Sequence, residues 1–347
     1  MSRGAAIARF WLRLVCFLLL LAVVLGYIAY VLTPKYDYGI CSMTNLYRQD
    51  EDTVDVLVLG TSVAYAGVNT NVLWEEHGIA AYDLCGAEQP FWISYFYLEE
   101  ALKTQSPRLI VVDAKAAIYQ QDHTNPGRTI LSTYGIRDPL TRLRAIAACV
   151  PMEDVPGYAL AFPQLHSFYP GVTAESFTLP PDNGGRGVDW KGYIESTDVE
   201  RHQRPSLVRT DTQKPLHPRQ KEYFEKLLDL AAERDIPVLV AALPTPDYAF
   251  DHMYYNALQA VAEEHGAHWV DYNDPDRRYG LLYASDFADW QHLNVKGSVT
   301  LSRQLGKDLD AWFDLPDRRG DAAYQSYQRC ADAWFGQYPQ YRWRDDA

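Results

Sequence analysis

The chain alternates short apolar runs with helical patterns, and this alternation constrains its fold more than any other feature. The runs are rich in valine, leucine and isoleucine, which is typical of strands buried on both faces of a sheet. Strands joined by helices require right-handed crossovers and a parallel sheet covered on both faces. The sequence therefore predicts an α/β fold with strands at residues 56–59, 82–85, 107–112, 238–243 and 268–272.

The first strand ends in the small-residue turn Gly60-Thr61-Ser62, and a helical pattern follows it. In open α/β sheets, ligands bind outside the carboxyl ends of the strands. Ser62 lies at such an end, near the positive end of the following helix, and this position suits a nucleophile. The alternative is that Ser62 only caps the helix, since serine is a preferred N-cap residue.

A second polar motif, DFADWQHLNVKG at residues 286–297, places Asp289 and His292 three residues apart in a loop before the last long helix. A serine hydroxyl is a weak nucleophile until a base takes its proton, and the base needs a third group to orient it. Alone, the Asp-x-x-His spacing also fits an exposed polar loop. Together with Ser62 it indicates a Ser-His-Asp catalytic site at one edge of the sheet. Asn294, which follows the pair, is a further candidate for lining that site.

The two motifs resemble those of the SGNH/GDSL hydrolase superfamily, in which the first block carries the nucleophilic serine and the last carries Asp-x-x-His. Ser62 matches the first block, and Asp289 and His292 match the last. The resemblance spans roughly residues 36–313. It is greatest to the membrane-anchored bacterial branch, which includes proteins of teichoic-acid D-alanylation and acetyltransferase-like proteins of exopolysaccharide export. It implies a flavodoxin-like, three-layer SGNH hydrolase fold with a central parallel sheet.

The resemblance also implies an oxyanion hole built from the backbone amides of Ser62 and Gly86, the latter in the loop after the second strand. The alternative for Gly86 is an ordinary turn glycine. Many family members add an asparagine after the third strand, where this chain has Asp113, Ala114 and Lys115. Asp113 and Lys115 are candidates for lining the site, although Asp113 also suits a cap for the segment that follows.

Residues 1–35 have the pattern of a membrane anchor. Three arginines (Arg3, Arg9 and Arg13) precede an uncharged run at residues 14–32, which is about the length needed to span a bilayer. Cationic residues before the run predict a cytoplasmic N-terminus and an extracytoplasmic remainder. The alternative is a cleaved signal peptide, but no clear small-residue cleavage site follows the run, which favours an uncleaved signal anchor in the cell membrane.

Composition excludes some classes of function. The formal net charge of -13 argues against nucleic-acid binding, which calls for a basic face. The histidines outside the Asp-x-x-His motif share no ligand spacing, so the sequence indicates neither a metal site nor a cofactor. Four of the five cysteines lie outside the anchor. An extracytoplasmic location would permit disulfides, and buried free thiols are the equal alternative.

Residues 119–215 interrupt the strand and helix pattern and are rich in proline, glycine, histidine and tyrosine. We predict an irregular insertion with one helix at 138–149. A long insertion of this kind is typical of a lid or a binding surface. Its aromatic clusters at 166–169 and 190–193 either bind sugars or pack the insertion onto the core. Residues 314–347 are predicted to form a C-terminal helix and tail.

The expected function is that of an extracytoplasmic serine esterase or O-acyltransferase. Ser62 would attack an ester carbonyl, His292 would take its proton, and Asp289 would orient the imidazole. The resemblance implies acyl esters of a cell-envelope glycan or teichoic-acid-like polymer as substrate. It also implies a multispanning membrane protein as a partner that supplies the acyl group. The alternative is a catalytically inactive SGNH-like module that binds a glycan or an envelope export complex.

Overall fold

Five parallel strands form one sheet at the centre of the molecule, in the order β2-β1-β3-β4-β5. The computed structural model describes residues 3–36, 39–181, 190–205, 210–246 and 248–342. Strands β1 to β4 are buried along their whole length, as expected for apolar runs without alternation. The strands are β1 (Val56–Gly60), β2 (Ala81–Cys85), β3 (Leu109–Asp113), β4 (Val238–Ala242) and β5 (His268–Asp271).

Helices cover both faces of this sheet. One face packs against α2, α5, α10 and α11, and the other packs against α3 and α12. The predicted α/β fold with a central parallel sheet is thereby confirmed. The helices are α1 (Arg3–Leu32), α2 (Ile40–Leu46), α3 (Ser62–Gly67), α4 (Thr70–His77), α5 (Phe91–Ala101), α6 (Pro126–Thr133), α7 (Pro139–Cys149), α8 (Val155–Ala159), α9 (Phe162–Leu165), α10 (Pro218–Ala232), α11 (Tyr248–Glu264), α12 (Val295–Trp312) and α13 (Gln325–Gln337).

The region at 119–215 is more regular than predicted. Besides the expected helix, now α7, it contains α6, α8, α9 and short 3-10 helices. The helices α6 to α9 each begin with proline in the first turn, where its missing N–H costs nothing, so the prolines start helices here. Residues 182–189 and 206–209, which belong to the same predicted insertion, lie outside the described residues.

The N-terminal helix α1 carries apolar side chains on all sides and is exposed along most of its length. By length and composition it is a candidate membrane span, from Gly4 to Leu32. A helix that is apolar all round is stable in contact with hydrocarbon, so the exposure of α1 agrees with the predicted anchor. The structure shows no disulfide among the five cysteines, which include Cys16 in α1 and all lie within the described residues.

The C-terminal tail is part of the folded body. The predicted C-terminal helix is a short 3-10 turn followed by α13, which packs on α4 through the stacked rings of Trp74 and Tyr327, 5.3 Å apart. Arg318 donates two hydrogen bonds to Asp55, at 2.7 and 2.8 Å, just before β1. The last residues, 343–347, lie outside the described part of the chain.

Asp83 is a buried carboxyl group in the middle of β2. Within the described residues, neither of its carboxylate oxygens has a hydrogen-bond partner, and burial raises the pKa of Asp83 well above its ordinary value. The protonated form is therefore the favoured one in the folded protein, and ionising it costs stability.

We expect Asp83→Asn to gain stability over the parent protein as pH rises. The pKa of aspartate in an unfolded chain is about 4. The parent therefore loses stability from that pH up to the raised pKa of the folded state, and asparagine has no proton to lose. Thermal unfolding in detergent between pH 4 and 8 measures the difference, with the exposed Asp276→Asn as control. A constant difference across this range would contradict the assignment of a protonated Asp83.

Candidate active site

Ser62 lies at the carboxyl end of β1 and is the first residue of α3. The cap of this helix is Thr61, whose hydroxyl oxygen accepts from the amide of Val63 at 3.2 Å. Ser62 is therefore not the N-cap, and its hydroxyl is available for another contact. The side chain is largely buried, with 7% of its surface exposed.

Asp113, at the end of β3, fixes the turn that carries Ser62. Its carboxylate accepts from the Thr61 amide at 3.1 Å and from the Thr61 hydroxyl at 2.7 Å, and also from the amide of Lys115 at 3.0 Å. Gly60 makes this contact possible, because a Cβ there would lie 2.4 Å from the Asp113 Cβ. Burial raises the pKa of Asp113 despite these hydrogen bonds. Asp113 thus supports the turn and caps the segment after it.

The Asp-x-x-His motif forms a tight loop before α12. Phe287 and Leu293 form an isolated antiparallel bridge across its base, and the amide of Ala288 donates to the carbonyl of His292 at 2.8 Å. At the tip, one carboxylate oxygen of Asp289 accepts from the amides of residues 291 and 292, each at 2.9 Å. These bonds close the loop and present both side chains on the same side.

Ser62, His292 and Asp289 form a continuous chain of hydrogen-bonding contacts. Nε2 of His292 lies 2.8 Å from Oγ of Ser62, and Nδ1 lies 2.7 Å from Oδ2 of Asp289. The side-chain amide of Gln291 is also within 3.2 Å of Nε2. The ring of Tyr65 lies parallel to the imidazole, with centroids 6.5 Å apart. The three residues that the two motifs predict therefore meet in space although the chain separates Ser62 from His292 by 230 positions.

The electrostatics of Asp289 suit the role of orienting group. Burial would raise the pKa of Asp289, but hydrogen bonds from the His292 ring and from the amides of Gln291 and His292 outweigh burial and lower it. The carboxylate consequently stays ionised. An ionised Oδ2 accepts the Nδ1 proton of His292, which leaves the Nε2 lone pair directed toward Ser62.

Asn294, predicted as a candidate for lining the site, is hydrogen-bonded to the backbone of the loop and of α12. Its side-chain oxygen accepts from the Gly297 amide at 3.1 Å and caps α12. Its side-chain nitrogen contacts the carbonyls of Asp198, Ser285 and Phe287 at 2.9 to 3.2 Å. With all its polar atoms engaged in a buried setting, Asn294 has no free group for a substrate.

The segment at residues 193–202 runs along the other side of this loop. Its amides at Ile194 and Glu200 donate to the carbonyls of Tyr65 and Phe287, at 2.8 and 3.0 Å. Nε2 of His202 lies 3.0 Å from the carbonyl of Asp289. The segment therefore connects α3 to the loop, a role that the sequence did not reveal because it depends mostly on backbone groups.

Lys115 is also engaged elsewhere. Its amine pairs with Asp251 of α11 at 2.5 Å, and both side chains are almost fully buried. A buried ion pair of this kind supports packing between the segment after β3 and α11. The predicted role of Lys115 in lining the site is not supported.

The Gly86 amide does not take the position that the resemblance implies. It donates to the carbonyl of Gly60 at 3.2 Å and so continues the ladder between β1 and β2. Among the described residues, the amides of Ser62, Ala87 and Glu88 donate no hydrogen bond. The turn at residues 87–88, where Glu88 has a positive φ of 55°, therefore offers free donors two residues past the end of β2.

A cavity of about 430 Å³ opens beside this turn. Burial and the nearby carboxylates of Asp113 and Glu88 raise the pKa of Tyr119, so this tyrosine keeps its proton. On the loop itself, Trp290 is 57% exposed and offers an apolar ring face next to Asp289. Neither feature was predicted. The residues lining the cavity include Glu88, Pro90, Trp92, Tyr119, His123 and Asn125.

Comparisons with known proteins add little to this geometry. No protein-family model matches the sequence, and no curated protein matches it. Among solved structures, the chain is similar to a "putative acylhydrolase" from Bacteroides fragilis, with 15% sequence identity and a TM-score of 0.37. The similarity covers 76% of this chain and 89% of that one.

Proposed function

We propose that this protein is a membrane-anchored, extracytoplasmic serine enzyme that acts on acyl esters. The observation that carries the proposal is the hydrogen-bonded series Ser62–His292–Asp289, with contacts of 2.8 and 2.7 Å. A hydroxyl, an imidazole and an ionised carboxylate in this order are the parts that serine acyl transfer needs. The turn beneath Ser62 is fixed by Asp113, so the nucleophile is held in place before substrate arrives.

The reaction follows from these contacts. Oγ of Ser62 attacks the ester carbonyl carbon while Nε2 of His292 takes the hydroxyl proton, and Asp289 stabilises the resulting imidazolium. Collapse of the tetrahedral intermediate breaks the bond to the leaving alkoxide, which receives that proton from His292. An acyl ester remains on Ser62. A water or a polymer hydroxyl then attacks this ester while His292 again takes the proton. The bond from the acyl carbon to Oγ of Ser62 breaks, Oγ receives that proton from His292, and a carboxylic acid or a new ester is released.

The oxyanion of the intermediate needs donors close to Ser62. We infer that the Ser62 amide and an amide of the Ala87–Glu88 turn supply them. Both lie at the carboxyl edge of neighbouring strands, and neither donates to another described group. One such donor contributes about 3 kcal/mol to stabilisation of the transition state.

The substrate we propose is an acylated cell-envelope glycan or teichoic-acid-like polymer. The exposed ring of Trp290, next to Asp289 in the loop, suits contact with a sugar, and the cavity beside the Ala87–Glu88 turn has room for an acyl group or a sugar residue. A multispanning membrane protein that delivers the acyl group remains the proposed partner. Transfer to a polymer hydroxyl and hydrolysis by water are two outcomes of the same acyl-serine intermediate.

The second candidate is a glycan-binding module of the same fold without turnover. One observation favours it: the Gly86 amide, which the resemblance assigns to the oxyanion hole, is used in the sheet. If the turn at Ala87 and Glu88 does not replace that donor, the acylation step loses a large part of its rate.

A fluorophosphonate probe tests the proposal on the full-length chain in detergent. We expect phosphonylation of Ser62, located by mass spectrometry, because the probe reacts with hydroxyls that a neighbouring base activates. Labelling should be lost in Ser62→Ala and kept in Ser106→Ala, which removes an exposed serine at the opposite edge of the sheet. If the folded parent protein takes up no probe, that result would contradict the proposed enzymatic function. Retention of acylated glycan by that same protein would then support the binding module.

A further inference from the structure

The outer end of α1 is held by part of the predicted insertion. The hydroxyl of Tyr30 donates to the carbonyl of Leu179 at 2.8 Å, and that of Tyr36 donates to the carboxylate of Glu175 at 2.7 Å. Helix α9 and the 3-10 helices at His166–Gly171 and Ala174–Phe177 pack against α1 as well. We call residues 155–179 the anchor-binding segment.

The position of these contacts along α1 indicates how deep the anchor-binding segment lies relative to the bilayer. The uncharged run at residues 14–32, at about 1.5 Å per residue, spans about 28 Å, which matches the hydrocarbon core of a bilayer. Tyr30 and Tyr36 therefore fall at one boundary of that core, where aromatic residues are enriched. Whatever packs around them lies at the same depth.

The surface of the anchor-binding segment suits that depth. Residues 155–174 contain no Asp, Glu, Lys or Arg. Large apolar and aromatic side chains on it are exposed although the segment packs against the body of the protein. They are Leu160 (75% exposed), Tyr169 (64%), Phe177 (49%) and Phe162 (37%).

We propose that the anchor-binding segment rests in the headgroup layer on the extracytoplasmic face of the membrane that α1 spans, and that it holds the domain against the bilayer. Lipid covers the exposed apolar side chains of this segment, because the segment packs directly against the proposed membrane-spanning helix at the boundary of the hydrocarbon core. Leucine, phenylalanine and tyrosine are residues by which interfacial segments enter the headgroup region. Without cationic residues, this contact depends on apolar burial rather than on anionic lipids. The inference rests on the proposed membrane anchoring and is independent of the chemistry of Ser62.

The chain path places the candidate active site on the same side. Ten residues after α1 ends, the hydroxyl of Ser42 donates to the carbonyl of Cys85 at 3.0 Å. Cys85 is the last residue of β2 and pairs with Gly60, two residues before Ser62. Neighbouring strands lie about 4.8 Å apart. The carboxyl edge of the sheet is thus the edge from which the anchor leaves, and docking of the segment keeps Ser62 near the membrane surface.

Depth-dependent quenching tests this arrangement on the full-length chain in phosphatidylcholine vesicles. Cys16→Ser leaves only buried native thiols. A polarity-sensitive fluorophore is attached to Leu160→Cys or Phe177→Cys, and lipids with a nitroxide near the headgroup are added. We expect about twofold quenching at both positions, since interfacial side chains reach roughly 5–10 Å into the headgroup and acyl boundary. The label at Ser106→Cys, before β3 at the opposite edge, should remain unquenched.

The controls separate this inference from the anchoring that it assumes. Flotation of the labelled protein with the vesicles reports the anchor alone. Floating protein whose labels at 160 and 177 are no more quenched than the label at 106 would overturn the membrane contact while leaving the anchor intact. Protein that does not float would overturn the anchoring and the inference together. Quenching that requires anionic lipid would contradict the apolar mode of contact.

Discussion

Replacing His292 with alanine is expected to lower the rate at which Ser62 is acylated by a factor on the order of 10⁵. The change removes the only group that the structure places within hydrogen-bonding distance of the Ser62 hydroxyl among the described residues. Without this base the hydroxyl keeps its proton and is a poor nucleophile. Initial rates of phosphonylation or of p-nitrophenyl acetate hydrolysis measure the effect.

Replacing Asp289 with asparagine should cost about 10⁴-fold, because the imidazole loses the acceptor that sets its tautomer. The lowered pKa of Asp289 keeps the parent carboxylate ionised, so in the parent protein it can accept the Nδ1 proton of His292. His265→Ala, whose ring contacts a helix carbonyl, is the matched control and should keep the parental rate. A parental rate in His292→Ala would refute the proposed catalytic role.

Replacing Gly297 with alanine is expected to have the next largest effect, on stability and activity together. Gly297 is in the first turn of α12, and a Cβ there would lie 2.1 Å from the carbonyl oxygen of Asp286. That carbonyl accepts from the Asn294 amide at 3.0 Å and holds the base of the His292 loop. Relief of the clash must move either the helix or the loop. We expect a loss of about 2–4 kcal/mol in the free energy of unfolding.

The same change should reduce acylation of Ser62 about 100-fold, since displacement of a catalytic group by about 1 Å has that cost. Thermal unfolding and phosphonylation rates measure the two effects. Gly336→Ala in α13 is the control, because nothing lies within 4 Å of a Cβ there. It should be neutral or stabilising by about 0.5–1 kcal/mol, as alanine is preferred over glycine inside a helix. Equal stability of the two variants would show that the Asp286 contact does not constrain the loop.

The local pattern of apolar residues in the sequence was sufficient to predict the strands of the sheet, but it did not predict the contacts around the candidate site. The apolar runs identified β1 to β4 because burial on both faces leaves a composition that can be read directly, and the short edge strand β5, which is only partly buried, was predicted as well. The engagement of the Gly86 amide depends on the register that pairs Gly60 with Cys85, and no local signal specifies register between strands so far apart in the chain. The pairing of Lys115 with Asp251 is likewise a product of tertiary packing.

The supporting roles of Asp113 and Asn294 have the same origin. Each carries polar atoms that suit a substrate as well as a backbone, and the sequence does not show which they meet. In the structure Asp113 binds the Thr61 turn and Asn294 binds the loop around His292. The missed helices α8 and α9 are five and four residues long, too short for a periodic pattern.

The separation of Ser62 from His292 has a consequence for biosynthesis. A chain made from its N-terminus at about 5–20 residues per second needs roughly 10–50 s to add the 230 positions between them. During this interval α1 and Ser62 are already present in the chain, while His292 and Asp289 are not. The Ser62 hydroxyl therefore lacks its hydrogen-bonding partner until the C-terminal quarter of the chain folds back onto the end of β1.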